Sequence, residues 1–392
     1  MKLTFFVILL IVIIKSVSSQ VLCLFAQVNG LYTCTATIIN PLGLNNFTQV
    51  EGIHFTGGTD EDVVRIERNA VSNTLNFPSI FCNQFGNTES IIIDNIGIER
   101  IDENAFADCR DLEYLLLQSN RLREIHENAF SENLQLSILD LSNNQLIRLP
   151  GNLFRNQINL YFLQLASNQL QELPSDIFNQ LSELGMLNLD SNQLQDLPEG
   201  IFDNLPNLYY LSFSFNQIVK LRENLIDKLY SIQNFLAPFN QIIYIPRNFF
   251  DGNPYLSSII ISGNNLTILE LNPIPMLSDF WFEHNQINAI DERIFNNVTL
   301  RSLNGGPNPC ADRNGIISNP TNDDIRAALH RCFDNFNPIE TTTTPGEEIT
   351  KPTTEPNGCE VGNIEERICQ LEAENAELRA RLEYLEKIVL GR

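Results

Sequence analysis

Leucine and other apolar residues recur along this chain with a period of 24 residues. Five copies of one segment stand in register, namely LEYLLLQSNRL from Leu112, LSILDLSNNQL from Leu136, LYFLQLASNQL from Leu160, LGMLNLDSNQL from Leu184 and LYYLSFSFNQI from Leu208. Degenerate copies begin at Ile232, Leu256 and Leu277, and further turns are centred on Val64, Ile91 and Leu303. Because no single turn buries its own apolar residues, the pattern predicts a stacked solenoid of about eleven turns.

The apolar-x-apolar centre of each copy predicts a short strand with both apolar residues pointing inward. The asparagine that follows turns the chain inward, and as a buried amide it needs hydrogen bonds, which the backbone of a neighbouring turn offers. These asparagines are Asn120, Asn144, Asn168, Asn192 and Asn216. A second apolar marker predicts a spine under the convex side, and comprises Phe106, Phe130, Phe154, Phe178, Phe202, Ile226, Phe250, Ile274 and Phe295.

The motif L-x-x-L-x-L-x-x-N-x-L resembles the extracellular, 24-residue class of leucine-rich repeats. The resemblance covers residues 61–309 and implies an α/β-type repeat solenoid. Its expected form is a horseshoe with a parallel concave β-sheet and an irregular or 3-10 convex side.

Cysteines mark both ends of the repeats. Cys23 and Cys34 flank a hairpin-like segment in a predicted N-terminal cap at residues 20–60. Cys310 stands where the repeat breaks, and Cys332 follows the helical stretch DDIRAALHRC, so residues 310–336 resemble the C-terminal cysteine caps of extracellular leucine-rich repeats. We expect the bonds Cys23–Cys34 and Cys310–Cys332.

A third disulfide is predicted inside the repeats. Cys82 and Cys109 each lie 18 residues after the central residue of their turn, Val64 and Ile91. Residues in the same phase of adjacent turns are about 5 Å apart, which fits disulfide geometry. We expect this bond to join two turns near the irregular end of the solenoid.

The first 19 residues have the layout of a cleaved signal peptide, with a lysine, a short apolar run and small residues before the cut. An uncleaved anchor is the alternative, and no later stretch is apolar enough to span a membrane. Eight cysteines fit an oxidising compartment. N-glycosylation sequons at Asn46, Asn265 and Asn297 also agree with a secreted, extracellular protein.

Charge and motif content exclude several classes of function. The formal charge of −23 disfavours nucleic acid and anionic membranes as partners. The four histidines show no metal-ligand spacing, and there is no phosphate loop or nucleophile elbow. Ser258, Asp279 and His284 on adjacent strands come nearest to a catalytic set, and we reject it because serines are common on such faces. We therefore expect no enzyme, cofactor or metal.

The tail changes character after the cap. Residues 337–358 form a Thr/Pro-rich linker, and residues 359–392 show a heptad pattern. The predicted dimer core contains Ile364, Ile368, Leu371, Asn375, Leu378, Leu382 and Leu385. Mostly β-branched residues at a, mostly leucine at d and Asn375 at a favour two parallel strands. A homodimer, a heterodimer with a paralogue and a single helix docked on the solenoid are the alternatives. Cys359 and Cys369 are candidates for an interchain bond.

The side chains that flank the inward leucines, here called the concave face, form the predicted ligand surface. Exposed aromatic clusters are common anchors of protein interfaces. The predicted contacts are Tyr114, Tyr161, Phe162, Tyr209, Tyr210, Phe215, Asn234, Leu236, Phe239, Asp279, Trp281 and Glu283. The alternative is that these aromatics only cover the sheet, or are buried by glycans and neighbouring turns.

Signal peptide, capped repeats and a cysteine-bearing coiled coil together resemble the secreted leucine-rich-repeat immune proteins of dipteran insects. The FPSIFCNQF run around Cys82 is part of that resemblance. It implies disulfide-linked dimers in haemolymph that hold complement-like thioester proteins. We therefore expect a dimeric innate-immune recognition protein with a protein ligand. A matrix or cell-surface adhesion protein and a salivary or gut secretion are the alternatives.

Overall fold

The computed structural model describes residues 82, 88–93, 97–312 and 315–336 with their side chains, and the backbone of residues 19–28, 31–39, 47–54 and 65–68. All of the described residues belong to the first of two units into which the chain divides, Met1–Pro338. The predictions for the signal peptide, Asn46, the linker and the coiled coil with Cys359 and Cys369 lie outside the described residues. The predicted Cys23–Cys34 bond also lies outside them, because only the backbone of these two cysteines is described.

Short strands, one in nearly every turn, dominate the described part of the first unit. They are β1 Ser19–Val28, β2 Leu31–Ile39, β3 Phe47–His54, β4 Arg65–Arg68, β5 Ser90–Ile93, β6 Arg100–Ile101, β7 Tyr114–Leu116, β8 Glu124–Ile125, β9 Ile138–Asp140, β10 Phe162–Gln164, β11 Met186–Asn188, β12 Tyr210–Ser212, β13 Asn234–Leu236, β14 Ser258–Ile260, β15 Ile268–Leu269, β16 Asp279–Trp281, β17 Ala289–Ile290, β18 Ser302–Asn304 and β19 Ile317–Ser318. A 3-10 helix spans Glu292–Phe295, and helix α1 spans Asn322–Asp334.

One sheet of 15 strands runs through the described residues in the order β3-β1-β2-β4-β5-β7-β9-β10-β11-β12-β13-β14-β16-β18-β19. Its pairs from β2–β4 to β16–β18 are parallel and stay in register, so that Leu139, Leu163 and Leu187 are neighbours. β6 pairs with β8 and β15 with β17 beside it. The predicted repeat solenoid with a parallel sheet is confirmed.

The inward leucines form the core as the pattern predicts. Leu163 and Leu165 have no exposed surface, and the same holds for their counterparts in the adjacent turns. The spine residues are also buried, and the rings of Phe106 and Phe130 stack with centroids 5.8 Å apart. Each turn thus covers the apolar residues of the next one, which makes stability depend on the stack.

A ladder of buried asparagines links successive turns. Asn192 accepts from the N–H of Leu170 at 3.0 Å and donates to the carbonyl of Leu165 at 3.0 Å, and both of these residues belong to the preceding turn. It also donates to Leu189 and Asp190 of its own turn. The ladder continues in the same manner through Asn216, Asn240, Asn264, Asn285 and Asn308. The predicted role of these amides is confirmed.

Both ends of the main sheet carry antiparallel strands. β1 pairs with β2, and Cys34 stands opposite Phe25 in that hairpin. At the other end β19 pairs with β18, and α1 follows. Thr321 and Asp324 close a capping box at the start of α1, and Cys332 of α1 bonds Cys310 with α-carbons 4.8 Å apart.

The disulfide between Cys82 and Cys109 is present in the structure. The α-carbons are 4.8 Å apart, close to one stacking step, as their shared phase predicts. Both residues are buried. In the part of the chain that is described, no helix is long and apolar enough to cross a membrane.

Candidate functional site

The concave face is the outward side of the main sheet, and its side chains stand in rows because the strands are in register. Tyr114, Ile138, Phe162, Met186, Tyr210 and Asn234 form one row. Tyr114 is therefore four turns away from Tyr210 along that row. The predicted contacts do not form one patch, and the aromatics group into two clusters at different ends of the strands.

The first cluster is a pair of tyrosines that meet across a glycine. Tyr161 and Tyr209 lie two turns apart in one row, with ring centroids 6.2 Å apart and hydroxyl oxygens 3.2 Å apart. Gly185 occupies the row between them, and a Cβ there would lie 2.6 Å from Tyr161 and 2.9 Å from Tyr209. The missing side chain at Gly185 is what allows the two rings to lean together.

The second cluster is a stacked pair of phenylalanines in a costly backbone conformation. Phe215 and Phe239 have φ of 52° and 54°, a region that bulky residues rarely adopt. Their rings are nearly parallel, with centroids 4.6 Å apart. Ser167 and Ser191 occupy the same row in earlier turns with the same sign of φ. Gly263 follows in the row, and a Cβ there would lie 2.6 Å from the Phe239 ring.

An apolar strip crosses the same turns, three residues before the phenylalanine row. Leu236, Ile260 and Trp281 are register partners on three neighbouring strands. Ile260 and Trp281 are partly exposed, and the indole N–H of Trp281 donates to the hydroxyl of Ser302 at 2.9 Å. We call Phe215, Phe239, Ile260 and Trp281 together the aromatic patch. It presents apolar surface to solvent across the turns from residue 211 to residue 281.

Four predicted contacts are buried and offer little surface to a ligand. Phe162 and Leu236 are 6% and 9% exposed, because residues of the flanking strands cover them in the crowded rows. Asp279 is 9% exposed and Glu283 only 1%. Their burial argues against ligand contact for these four residues. Tyr210 and Asn234, by contrast, are half-buried and keep some exposed surface.

The buried carboxylates of Asp279 and Glu283 are each bound by side chains of the protein itself. Arg301 forms an ion pair with Asp279 at 2.9 Å, and the hydroxyls of Ser278 and Ser302 also donate to it at 2.6 Å. Glu283 accepts from the hydroxyl of Ser262 at 2.6 Å. Both carboxylates thus have partners of their own in neighbouring turns.

The pKa of Asp279 reflects these contacts. Burial acts to raise the pKa, but the hydrogen bonds from Arg301, Ser278 and Ser302 outweigh it, so that the pKa lies below its usual 3.8. This carboxylate is a structural anion tied to Arg301 rather than a base for Ser258 or His284. Among the described residues, no group of three or more His, Cys, Asp or Glu side chains is placed to hold a metal.

Asp190 is a buried acid on the concave face that the sequence analysis did not single out. Its carboxylate accepts from the hydroxyl of Ser212 at 2.5 Å and from the N–H of Ser214 at 2.6 Å. Burial raises the pKa of Asp190 from 3.8 to about 6, against the lowering effect of those hydrogen bonds. The carboxylate changes charge within the mildly acidic range.

Replacing Asp190 by asparagine is expected to make stability less dependent on pH. The folded-state pKa lies above the unfolded one, so the native state binds more protons between them and loses stability as pH rises through that window. At pH of about 8, the free energy of unfolding of Asp190→Asn should exceed that of the parent by up to roughly 3 kcal/mol, because each pKa unit corresponds to about 1.36 kcal/mol. At pH of about 3 or below, under the unfolded-state pKa, the difference should vanish. Denaturant titrations across this range measure it, and parallel pH profiles of the two proteins would contradict it.

Sequence reasoning missed Gly185, Ile260 and Asp190 as parts of the face. An alignment of the repeats could have found Gly185, because Tyr161, Gly185 and Tyr209 share one position at a spacing of 24 residues. A large-small-large row indicates that the outer rings are able to meet. Asp190 carries no such signal, because its burial depends on its partners in the next turn.

Comparisons with known proteins agree with this architecture. Residues 75–209 match a family described as BspA type leucine rich repeat region, in six copies, and residues 183–242 match the family described as leucine rich repeat. A leucine-rich-repeat protein of Leptospira interrogans has a similar fold, with a TM-score of 0.52 and 21% identity over 67% of this chain and 73% of that chain. Among curated proteins, no sequence matches.

Proposed function

We propose that this leucine-rich-repeat solenoid is a secreted, non-enzymatic scaffold that binds a protein ligand on its concave face. The stacked Phe215–Phe239 pair is the observation that carries the proposal. Two phenylalanines hold a left-handed backbone conformation on a partly exposed row where other turns have serine, asparagine, glycine or histidine. Such local strain is concentrated at functional sites, because folding alone favours the cheaper residues.

The aromatic patch has the chemistry of an interface anchor. Aromatic side chains that are rigidly held and partly exposed supply much of the binding energy in protein interfaces. The rings of Phe215 and Phe239 support each other, and Gly263 leaves room beside them. A ligand that buries this patch gains apolar contact area at little cost in side-chain entropy.

Export and dimerisation complete the proposal. The signal-peptide layout, the paired cysteines and the sequons support export. The heptads within residues 359–392 support a parallel dimer, and Cys359 is a candidate for the interchain bond that would lock it. Two solenoids joined by one coiled coil engage a multivalent ligand at high effective concentration.

Immune recognition is the role that the dipteran resemblance suggests, with a complement-like factor as the ligand. Affinity purification of the intact protein from the body fluid of its source organism tests the proposal. We expect a disulfide-linked dimer on non-reducing gels that Cys359→Ser converts to monomer. We also expect a protein co-purified by the parent and lost with the concave variant Phe215→Ser/Phe239→Ser. Recovery of the same proteins by both forms contradicts a concave site.

A further inference from the structure

Apolar side chains are exposed on both flanks of the solenoid as well as on its concave face. One flank, here called the Ile243 flank, follows the asparagine ladder and carries Val219, Ile243, Tyr244 and Ile268, between 36% and 54% exposed. The opposite one, here called the Tyr255 flank, precedes the strands and carries Tyr230, Tyr255 and Met276, between 56% and 61% exposed. Large exposed side chains grouped in this way favour association unless something covers them.

An N-glycosylation sequon lies beside the Ile243 flank. The backbone N–H of Asn265 donates to the carbonyl of Ile242 at 2.9 Å, so Asn265 sits one turn along from Ile243. Asn265 and Thr267 are exposed, and Thr267 shares its repeat phase with Ile243. Adjacent turns are separated by about 5 Å, so the sequon borders the apolar side chains.

A second sequon lies beside the Tyr255 flank. The N–H of Arg301 donates to Ser278 at 2.7 Å, and that of Ser278 donates to Ser257 at 2.8 Å. This register places Thr299 next to Met276, and Met276 next to Tyr255. Asn297 and Thr299 are both exposed.

We infer that N-linked oligosaccharides on Asn265 and Asn297 cover the Ile243 flank and the Tyr255 flank and leave the aromatic patch of the concave face uncovered. A glycan is bulky and hydrated, and the apolar faces of its first sugars pack on aliphatic and aromatic side chains such as Ile243 and Tyr244. The inference rests on the proposed export, because this modification occurs in the secretory pathway.

The modification is a glycosyl transfer from a lipid-linked donor. The side-chain amide nitrogen of Asn265 attacks C1 of an oligosaccharide carried on a lipid pyrophosphate. The C1–N bond forms as the C1–O bond breaks, the lipid pyrophosphate leaves with the bonding pair, and one amide proton passes to a base. The same step applies at Asn297, and no redox partner is needed.

The apolar side chains elsewhere on the flanks are fewer. Leu134 and Ile158 are exposed at the same repeat position on two adjacent turns. Ile147 is exposed as well, but the residues at its repeat position in the two adjacent turns are polar, Arg123 and Gln171. The two sequons within the described residues thus lie beside the two larger groups. On each flank a sequon lies beside a group of exposed apolar side chains, and this pairing favours shielding over chance placement of the sequons.

The test uses the full chain exported by a eukaryotic host. Glycopeptide mass mapping should find Asn265 and Asn297 occupied. Thr267→Ala removes the first sequon, whereas Thr267→Ser retains it and is the matched control. We expect Thr267→Ala to raise the fluorescence of an apolar-surface dye and to shift the protein toward larger assemblies in light scattering, with Thr267→Ser unchanged. Adding Ile243→Ser and Tyr244→Ser to Thr267→Ala should reverse both effects.

Enzymatic removal of glycans from the folded parent gives a second route to the same comparison and should raise dye binding too. Unoccupied asparagines in the exported chain, or identical behaviour of Thr267→Ala and Thr267→Ser, overturn the inference alone. Failure of the chain to reach the medium contradicts the proposed export and this inference together. Ligand binding that survives Thr267→Ala but is lost with Phe215→Ser/Phe239→Ser is the expected pattern.

Discussion

Replacing Asn192 by alanine is expected to lower the free energy of unfolding by about 3–5 kcal/mol, since each buried group left unsatisfied costs about 1–3 kcal/mol. The amide of Asn192 accepts from Leu170 and donates to Leu165, Leu189 and Asp190. Alanine leaves the N–H of Leu170 without that acceptor and opens a small cavity between two turns. The loss falls in the middle of the ladder, where turns on both sides depend on it.

Chemical denaturation of Asn192→Ala and of a matched asparagine variant measures this effect. Asn204 is exposed and donates to the side chain of Asn179 in the neighbouring turn. Asn204→Ala should change stability by no more than about 0.5 kcal/mol, as exposed positions do. Equal losses for the two variants would mean that the ladder has no special role.

The double variant Phe215→Ser/Phe239→Ser is expected to weaken ligand binding by at least about 100-fold, because buried aromatic anchors contribute about 2 kcal/mol or more each. Folding should be kept, since Ser167 and Ser191 hold φ of 56° and 53° in the same row. Serine also releases the strain of two bulky residues in this conformation, so unfolding should be no easier than in the parent.

A control for this variant removes apolar side chains of similar exposure from a flank. Leu134→Ser/Ile158→Ser alters residues that are 49% and 53% exposed. Both precede the strands of their own turns, and those turns come before the turns that carry the aromatic patch. Titration calorimetry with the purified ligand should give the parental Kd for this control. A concave variant with unchanged affinity, or a flank control that loses affinity, would place the binding site elsewhere.

The repeat pattern is sufficient to predict the scaffold. Inward leucines, the asparagine ladder, the phenylalanine spine and the Cys82–Cys109 bond all follow from residues that recur in one phase, because stacking places equal phases side by side. The rule that residues at the same repeat position lie side by side applies in every turn, and it does not depend on the shapes of individual side chains.

The concave face was predicted less well, because its properties depend on contacts between unlike side chains in neighbouring turns. Asp279 and Glu283 were expected as contacts, yet Arg301 and Ser262 engage them. Phe162 is covered by its row, while Tyr161 leans over Gly185. Phase alone places these residues on the face but does not determine how far each one is buried.

Hydroxyl-radical footprinting of the complex with the purified ligand tests concave binding most directly, since aromatic side chains on each surface report their own solvent exposure. Ligand should protect Tyr209, Phe215, Phe239 and Trp281 from oxidation. Tyr230, Tyr244 and Tyr255 on the flanks should react as fast in the complex as in the free protein. Protection of the flank tyrosines with unchanged reactivity of the concave aromatics would contradict a concave binding site.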